Sequence, residues 1–516
     1  MGDLDAIVVG AGQNGLACAC YLARAGLRVL VLEAYERIGG MTLTEEVTLP
    51  GYLSDVHASG YQLANLSPVP AELDLVHHGL ELVTPEYVYA HAFPDGRAIV
   101  VSRDLDRAVS DIARCSPTDA AAFRSLIERY RGGRATLIDG LFSPPRPRAV
   151  APAEQLRFSL QSVRSWADAT FESDEVKALF GGFAAFVGSA PDDAGGAEIA
   201  WLFGAVLQSE GNYLVRGGMN GVALALAADL AAHGGRVRTG SRVEAIEEID
   251  GTARGVRLEG GEMIAASRLV VSATDPAQLV ERLLGDAVAA EAETAEVRDI
   301  EWGDAVMTVY LALDGPVAYA AGPEVGQAAQ VHLSPPGQAP MAQASVECRA
   351  GLLPVEPFIV AWNNSAVDPR VAPPGRALMK LVVLGVPYDI AGDAAGRIAG
   401  RNWDEVREAY ADRIVDLVDK RYLPGLKARV LRRTVFSPVD QERQLSSAVR
   451  GTISHGAMLP YQLGAMRPTA SLSGYRTSIP NVYLCDSGTH PGPGVSMGSG
   501  RNAFTVIARD LGFAAP

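Results

Sequence analysis

The sequence has no apolar run as long as a membrane span. A transmembrane helix needs roughly 18 or more consecutive apolar residues, and no stretch of this chain approaches that length. The opening segment, MGDLDAIVVG, is acidic and enters an apolar run directly, so it lacks the basic and then apolar order of a signal peptide. We therefore expect a cytoplasmic protein, with peripheral membrane contact left open.

Cysteine is scarce as well. The 516 residues include 5 cysteines, at scattered positions and with no CxxC pair. Disulfide frameworks and structural zinc sites need matched cysteines at close spacing, so we expect neither of them and no metal site. The pattern fits a reducing compartment.

Positive charge is also outnumbered. The chain has 45 Lys and Arg against 60 Asp and Glu, which gives a net charge of −15. Nucleic acids need a basic binding face, so we expect no nucleic-acid partner. With 48% hydrophobic and 20% charged residues the composition is globular. A chain of this length predicts two domains, or one domain with a large insertion.

What the chain does contain is a dinucleotide-binding motif near its start. Ala6–Val9 is a short apolar run typical of a buried parallel strand, and Gly10, Gly12 and Gly15 follow it in GxGxxG spacing. The glycines permit a tight turn, close approach of the backbone to a diphosphate, and close packing of the next helix. Glu33 ends the second predicted strand, where a ribose-binding acid belongs.

A second glycine pair favours FAD over NAD. The segment ERIGG follows the acid closely and ends in Gly39 and Gly40, with Met41 next. This pair lets another backbone segment approach the same diphosphate, and Arg37 can add a charge-assisted contact. The stretch resembles FAD-binding flavoproteins that have two dinucleotide-binding domains. FAD is therefore the predicted cofactor.

The C-terminal segment NVYLCDSGTHPGPGVSMGSGRNAF predicts that the chain returns to the same cofactor. A strand leads to Asp486, then to a loop rich in glycine and proline, then to a helix from about Gly498. Asp486 is placed to bond the ribityl chain or the diphosphate, and Gly494 and its neighbours let the backbone lie against a flat ring. The helix N-terminus at Val495 and Ser496 would direct its positive end at the flavin pyrimidine, where negative charge develops on reduction.

Taken together, these segments resemble the phytoene desaturase-like flavoproteins, which include carotenoid desaturases, carotenoid isomerases and retinol saturase. The segments RGGMNGV, GTISHGAMLPYQLGAMRP and THPGPGV extend the resemblance over nearly the whole chain. It implies an α/β fold, with a Rossmann-type FAD-binding domain and a mixed α+β substrate domain. Residues 1–70, 213–290 and 478–516 are expected to form the discontinuous FAD-binding domain, and residues 71–212 and 291–477 the substrate domain.

The resemblance also implies two further cofactor contacts. Val243, in SRVEAI, would contact the adenine through its backbone, and Thr274, which ends VVSAT, would lie at the diphosphate edge. In the substrate half, Phe180–Gly218 is rich in Phe, Ala and Gly. That segment is expected either to line an apolar pocket or to form plain core.

The chemistry is expected to rest on the flavin. The sequence shows no Ser-His-Asp order, metal cluster or paired carboxylates. Candidates for moving a proton come from segments expected near the ring: His57, Tyr61, His455, Arg467 and His490. A structural hydrogen bond in a Gly-rich turn is the alternative for each, and shaping the flavin loop is the favoured role of His490.

The leading functional prediction is an FAD-dependent oxidoreductase that desaturates, or saturates, C–C bonds of an apolar, carotenoid- or lipid-like substrate. Three alternatives stay open: redox-neutral isomerisation of a double bond, amine oxidation, and non-catalytic carriage of a lipid or prenyl chain on the same fold. The intact glycine motifs and Glu33 argue against the carrier. The electron acceptor, oxygen or a quinone, and the oligomeric state stay open too.

Overall fold

A computed structural model describes residues 4–146, 152–285 and 291–514. The strands of the described residues are β1 (Leu4–Val9), β2 (Val29–Leu32), β3 (Thr44–Glu45), β4 (Ser54–Asp55), β5 (Leu82–Val83), β6 (Tyr89–Ala92), β7 (Ala98–Val101), β8 (Leu214–Val215), β9 (Arg236–Arg238), β10 (Val243–Ile249), β11 (Thr252–Leu258), β12 (Met263–Ser272), β13 (Ala305–Leu313), β14 (Gln330–Leu333), β15 (Leu352–Leu353), β16 (Phe358–Trp362), β17 (Ala377–Val386), β18 (Gly392–Asp393), β19 (Val430–Phe436) and β20 (Val482–Leu484).

Helices lie between and around these strands. They are α1 (Gln13–Arg24), α2 (Val69–Glu72), α3 (Leu105–Ile112), α4 (Pro117–Leu141), α5 (Ala153–Leu160), α6 (Val163–Thr170), α7 (Asp174–Phe186), α8 (Gly196–Glu210), α9 (Asn220–Ala232), α10 (Glu291–Arg298), α11 (Pro323–Gly326), α12 (Ala339–Arg349), α13 (Asn364–Val367), α14 (Trp403–Arg421), α15 (Leu426–Arg429), α16 (Pro438–Gln444) and α17 (Gly498–Leu511). A π-helical segment covers Gln278–Leu284.

The first sheet has the parallel centre that the N-terminal motif predicts. Its order is β10-β11-β12-β1-β2-β9, and β20 lies beside β12. The strands β20, β12, β1, β2 and β9 pair in parallel, whereas β10 and β11 form an antiparallel extension. The side chains of β1 alternate between two cores. Ala6 and Val8 pack against α1, α9 and α17, and Ile7 and Val9 pack on the opposite face. Burial on both faces explains why this strand is continuously apolar.

The second sheet is larger and mainly antiparallel. Its order is β19-β13-β17-β16-β14-β6-β7, and only the β14–β6 pair is parallel within it. Residues of α4, α6, α7 and α8 cover one face, and α14 packs against the other. Most of Phe180–Gly218 is therefore core between helices and sheet, and Phe186, Val187 and Phe203 also line an apolar cavity, so both roles expected for that segment occur.

The predicted fold class, a Rossmann-type α/β unit with a mixed α+β unit, is confirmed. Every strand of the first sheet lies within residues 1–70, 213–290 and 478–516, and every strand of the second within 71–212 and 291–477. The domain limits themselves stay a prediction. No helix in the three described ranges combines the length and the apolar character needed to cross a membrane.

Candidate active site

A cavity lies at the carboxyl ends of the parallel strands of the first sheet. It encloses about 920 Å³, part of it continuous with solvent. Ten residues predicted from the sequence line it: Gly10, Gly12, Gly15, Glu33, Gly40, Met41, Val243, Thr274, His455 and Asp486. They come from loops that are far apart in the chain and meet because parallel strands end at one edge of the sheet.

Two backbone segments meet at the glycine motif. Gly12 forms a bridge with Gly39, and the Gly39 amide donates to the Ala11 carbonyl at 2.9 Å. Gly40 has a positive φ of 56°, and a Cβ placed on it would lie 3.3 Å from the Gly12 Cα. The second glycine pair therefore permits the close approach that the sequence predicts.

The start of α1 fits a phosphate group. Gly12 precedes the helix without a capping side chain, and no acidic residue lies in the first turn. A Cβ on Gly12 would meet no atom within 4 Å, whereas one on Gly15 would collide with the Gly10 carbonyl oxygen and lie 2.8 Å from the Ala273 Cβ. Free helix amides beside open space suit the diphosphate of a dinucleotide. The residues present therefore fit FAD.

Glu33 is held by main-chain donors. Its Oε2 accepts from the Ala11 amide at 2.7 Å, and its Oε1 accepts from the Tyr35 amide at 3.0 Å. Burial raises the pKa of this carboxyl, and the two amides oppose that shift. The side chain is fixed at the wall of the cavity, where the sequence places a ribose-binding acid.

Asp486 carries an unpaired oxygen into the same region. Its Oδ2 accepts from the Gly488 amide at 2.7 Å, while Oδ1 has no partner among the described residues. Burial raises the pKa of Asp486 to about 7, Asp275 adds to the shift, and Arg467 opposes it. A buried acceptor without a partner is costly unless a ligand bonds to it. A ribityl or ribose hydroxyl would do so.

A second cavity of about 1000 Å³ adjoins the first. Its apolar lining comes from several elements: Val56, Leu63, Phe186, Phe203, Val306, Trp362, Val382 and Ile453. Gln13, Met41, His455 and Ser487 line both cavities. The two spaces therefore meet, and a group bound in the first can face a molecule bound in the second.

His455 lies where the cavities meet. The side chain is 7% exposed, its backbone has a φ of 51°, and Nδ1 has no hydrogen-bond partner among the described residues. Burial, with a smaller effect of the Arg467 cation, lowers the pKa of His455 to about 4. The imidazole is therefore neutral at physiological pH and able to accept a hydrogen bond, and its lowered pKa makes it a weak base.

His57 lines the second cavity beside a buried cation, Lys380, that sequence reasoning missed. The ammonium of Lys380 donates to the Asp55 carbonyl at 2.9 Å and to Ser59 Oγ at 2.9 Å, and also to the His57 carbonyl. Burial lowers the pKa of Lys380 and raises that of Asp55, and each group opposes the shift of the other. Burial and this cation lower the pKa of His57 to about 3. A lone lysine in the apolar run ALMKLVVLGV was the signal that could have found it.

The other catalytic candidates lie behind the cavity walls. Nη2 of Arg467 donates to the carbonyls of Ser454, His455 and Ser487. His490 Nε2 bonds to the Gly140 carbonyl at 2.9 Å, and Tyr61 is 2% exposed. None of the three lines either cavity. Their part in catalysis stays a prediction.

Some of the remaining predicted cofactor residues line a cavity, and others lie behind its wall. Gly494 and Val495 line the second cavity, and Val495 has a φ of 58°, a strained value for a β-branched residue. Ser496 lies behind that wall and accepts from the Gly498 amide at 3.3 Å. Arg37 pairs with Glu45 and does not line the first cavity. Their contacts with FAD stay predictions.

Sequence reasoning also missed residues that reach the first cavity from other segments. They are Tyr35, Arg242, Gln278, Arg282 and Ser446. The side-chain Nε2 of Gln278 donates to the Ser446 carbonyl at 2.8 Å, which brings the segment after α16 over the cavity. Arg242 directly precedes Val243, so the adenine segment predicted by resemblance was the available signal for it. The segment near Ser446 carries no such signal. Within the described residues, no group of His, Cys, Asp or Glu could hold a metal ion.

Comparison with known proteins agrees with this geometry. The family model described as flavin containing amine oxidoreductase matches residues 15–502. The chain is 29% identical to pyridine nucleotide-disulfide oxidoreductase domain-containing protein 2 of Rattus norvegicus, over 99% of this chain and 94% of that protein. It is 27% identical to a limonene dehydrogenase subunit of Castellaniella defragrans, over 98% and 95%. It is 29% identical to hydroxyneurosporene desaturase of Cereibacter sphaeroides, over 98% and 97%.

Solved structures show the same fold. Cyclohexylamine oxidase from Brevibacterium oxydans superposes with a TM-score of 0.61 at 16% identity, over 99% of this chain and 100% of that one. The resemblance to phytoene desaturase-like flavoproteins and the FAD cofactor are confirmed. The chain therefore belongs to the family of flavin containing amine oxidoreductases and is an FAD-dependent oxidoreductase.

Proposed function

We propose that this protein oxidises a C–C single bond of an apolar, carotenoid- or lipid-like molecule to a double bond, with a hydride passing to the flavin. The observation that carries the proposal is the junction of the two cavities at Gln13, Met41, His455 and Ser487. One cavity has the glycine motifs of a dinucleotide site, and the other is lined mainly by aliphatic and aromatic side chains. An apolar molecule in the second would reach a ring held in the first.

The reaction assigns separate tasks to the cofactor and the chain. When bound, FAD supplies a two-electron acceptor. Removing two hydrogens from adjacent carbons releases one hydride and one proton, so a base must take the proton. His455, with Nδ1 unpaired at the junction, is placed to accept it, as a weak base because burial lowers its pKa to about 4. The apolar walls exclude water and orient the substrate.

The charge of the second cavity argues against amine oxidation. Lys380 lines this cavity, and no carboxylate among the described residues does. A protonated amine in this cavity would meet the Lys380 ammonium, whereas the neighbouring Asp55 carboxylate lies outside the lining and could not pair with the amine. The names of two relatives, a limonene dehydrogenase and a hydroxyneurosporene desaturase, also support an apolar substrate.

The test begins with the visible absorption spectrum of the purified protein and identification of any chromophore released by heat. A yellow protein that releases FAD is then mixed without oxygen with polyenes, terpenes, lipids and amines. We expect polyenes, terpenes or lipids to bleach the flavin. Bleaching by amines alone would assign amine oxidation. A colourless protein that takes up no FAD would overturn the proposal and leave the carrier in its place.

Redox-neutral isomerisation is separated by electron balance. Oxidation of the substrate must consume one equivalent of oxygen or quinone for each double bond formed, whereas isomerisation consumes none. We expect consumption during turnover, followed with an oxygen electrode and by quinone absorbance. Product formation without either would replace oxidation by isomerisation.

A further inference from the structure

The second cavity contains a hydrogen-bond acceptor whose direction is fixed by a chain of buried side chains. Gln62 lines the cavity and is 7% exposed. Behind it lie Gln330, Asn212 and His332, all 0% exposed. A buried amide must place its oxygen opposite a donor and its NH2 group opposite an acceptor. The chain therefore decides which end of the Gln62 amide faces the cavity.

A main-chain carbonyl sets the direction. Asn212 Nδ2 lies 2.8 Å from the Val88 carbonyl oxygen, which can only accept, so this end of Asn212 is the NH2 group. The same Nδ2 donates to Gln330 Oε1 at 3.0 Å. Gln62 Nε2 donates to that Gln330 oxygen at 2.6 Å. The Gln330 oxygen thus receives two donors, and Gln62 must turn its NH2 group inward.

The far end of Gln330 agrees with this direction. Its Nε2 lies 3.0 Å from His332 Nε2. Because Gln330 donates here, His332 Nε2 accepts and the ring is neutral, and burial lowers the pKa of His332 well below its ordinary value. Reversing Gln62 would place its oxygen against the Gln330 oxygen. The carbonyl oxygen of Gln62 is therefore the end left for the cavity.

A second amide in the same cavity has the same polarity. Gln441 is 3% exposed, and its Nε2 donates to Thr308 Oγ1 at 3.0 Å. Its Oε1 has no partner of ordinary geometry among the described residues, although its approach to His57 slightly opposes the lowering of that pKa. The Gln441 oxygen is buried and directed toward His57, so Gln62 Oε1 is the amide oxygen left for a cavity that is otherwise largely apolar.

We propose that the substrate carries a hydroxyl group on its apolar skeleton and that Gln62 Oε1 accepts the hydrogen bond from it. The inference rests on the proposed function and adds the substrate class. A plain hydrocarbon would leave a buried acceptor unpaired. A carboxylate would face the Gln62 oxygen, since the Lys380 ammonium already donates to Asp55, His57 and Ser59. An ammonium would meet Lys380 in the same cavity. A neutral donor satisfies all three conditions, and a hydroxyl is the simplest one.

The test uses the FAD-loaded protein and three matched probes: farnesol, its methyl ether and the hydrocarbon farnesene. Binding is followed by the change in the flavin absorption spectrum. The ether keeps an oxygen but has no hydrogen to donate. One hydrogen bond corresponds to an affinity difference of about tenfold. We therefore expect farnesol to bind about tenfold more tightly than the ether or farnesene.

Two variants complete the design. Gln62→Met removes the acceptor at similar volume, and we expect farnesol to fall to the level of its ether. Gln343→Met makes the same change at an exposed position on α12, and the preference should persist. The wild-type comparison decides the matter even if Gln62→Met does not fold.

Several outcomes would overturn the inference. They are an ether that binds as well as farnesol, tighter binding of farnesene, a preference that survives Gln62→Met, or no spectral change with any probe. The proposed function fails differently, through a protein without FAD or a flavin bleached by amines alone. A flavin bleached equally by alcohols and hydrocarbons would leave the proposed function intact and remove only the hydroxyl.

Discussion

Replacing Arg467 by methionine tests how the junction of the two cavities is held together. The guanidinium is 1% exposed. Its Nη2 donates to the carbonyls of Ser454 at 2.6 Å, His455 at 3.1 Å and Ser487 at 3.2 Å. One side chain therefore links the turn that carries His455 to the loop that follows Asp486. Without it, both walls of the junction lose their common support.

The magnitude follows from two opposed effects. Loss of a buried charged donor leaves its partners unpaired and typically costs about 3–5 kcal/mol. Burial also penalises the cation itself and lowers the pKa of Arg467 to about 10, with Asp486 opposing the shift. The variant escapes that penalty. We therefore expect the free energy of unfolding to fall by about 3 kcal/mol, at the low end of the range.

Asp486 gives the variant a pH signature. Burial raises the pKa of Asp486 to about 7, and Arg467 opposes this shift. A carboxyl with a raised pKa contributes stability at low pH that is lost as the pH rises through its folded value. Without the cation that pKa rises further, so the deficit of the variant should grow as the pH rises through about 7.

The assay is urea unfolding of the FAD-saturated protein, with FAD release measured in parallel. Arg476→Met is the matched control, since Arg476 pairs with Asp510 at the surface and its side chain is 48% exposed. Such a pair is worth about 0–1 kcal/mol. If Arg467→Met lost no more stability and no more FAD than Arg476→Met, the junction would not depend on this guanidinium.

Three further predictions concern other parts of the site. Gly15→Ala should lower the unfolding free energy by about 1–3 kcal/mol through overpacking, and it should weaken FAD uptake in a titration of apoprotein. Gly132→Ala, on an open face of α4, should have neither effect. Equal FAD uptake by both variants would contradict the turn geometry. Lys380→Met should cost about 3–5 kcal/mol because it leaves buried acceptors of Asp55, His57 and Ser59 without their donor and removes a cation near the Asp55 carboxylate. Adding Asp55→Asn should restore part of the loss in a double-mutant cycle; additive losses would show that the two groups are not coupled. The pKa of His455 is lowered to about 4. Wild-type stability should therefore fall, relative to His455→Gln, by about 3 kcal/mol as the pH drops from about 6.5 to about 4. Parallel pH profiles of the two proteins would show that the imidazole is not buried and neutral.

Local patterns predicted the dinucleotide half of the molecule well. The helix expected from about Gly498 begins at that residue. Glycine spacing identified the turn after β1 because that turn depends on backbone freedom within a few residues. Such signals are contained in short windows of sequence, so one sequence is enough to find them.

Contacts between charged side chains were harder to predict from the sequence than these backbone features. Arg37 was expected at the diphosphate because it lies beside the second glycine pair; in the structure it pairs with Glu45, and its contact with the diphosphate stays a prediction. Arg242 and Arg282, which were not expected there, line the cavity. A flexible cation selects among several acids within its reach. Sequence proximity alone therefore does not choose the partner.

The polar network behind the second cavity shows most clearly why the proposed substrate site could not be predicted from the sequence. Gln62 and Gln330 are 268 positions apart and touch only because a loop of the first half lies over β14. Neither residue belongs to a motif, and glutamine in a loop or a strand usually contacts solvent. Only the buried main-chain carbonyl of Val88 gives the amides their direction. The cofactor site could thus be predicted from local backbone features, whereas the proposed substrate site depends on the orientation of side chains that are far apart in the sequence.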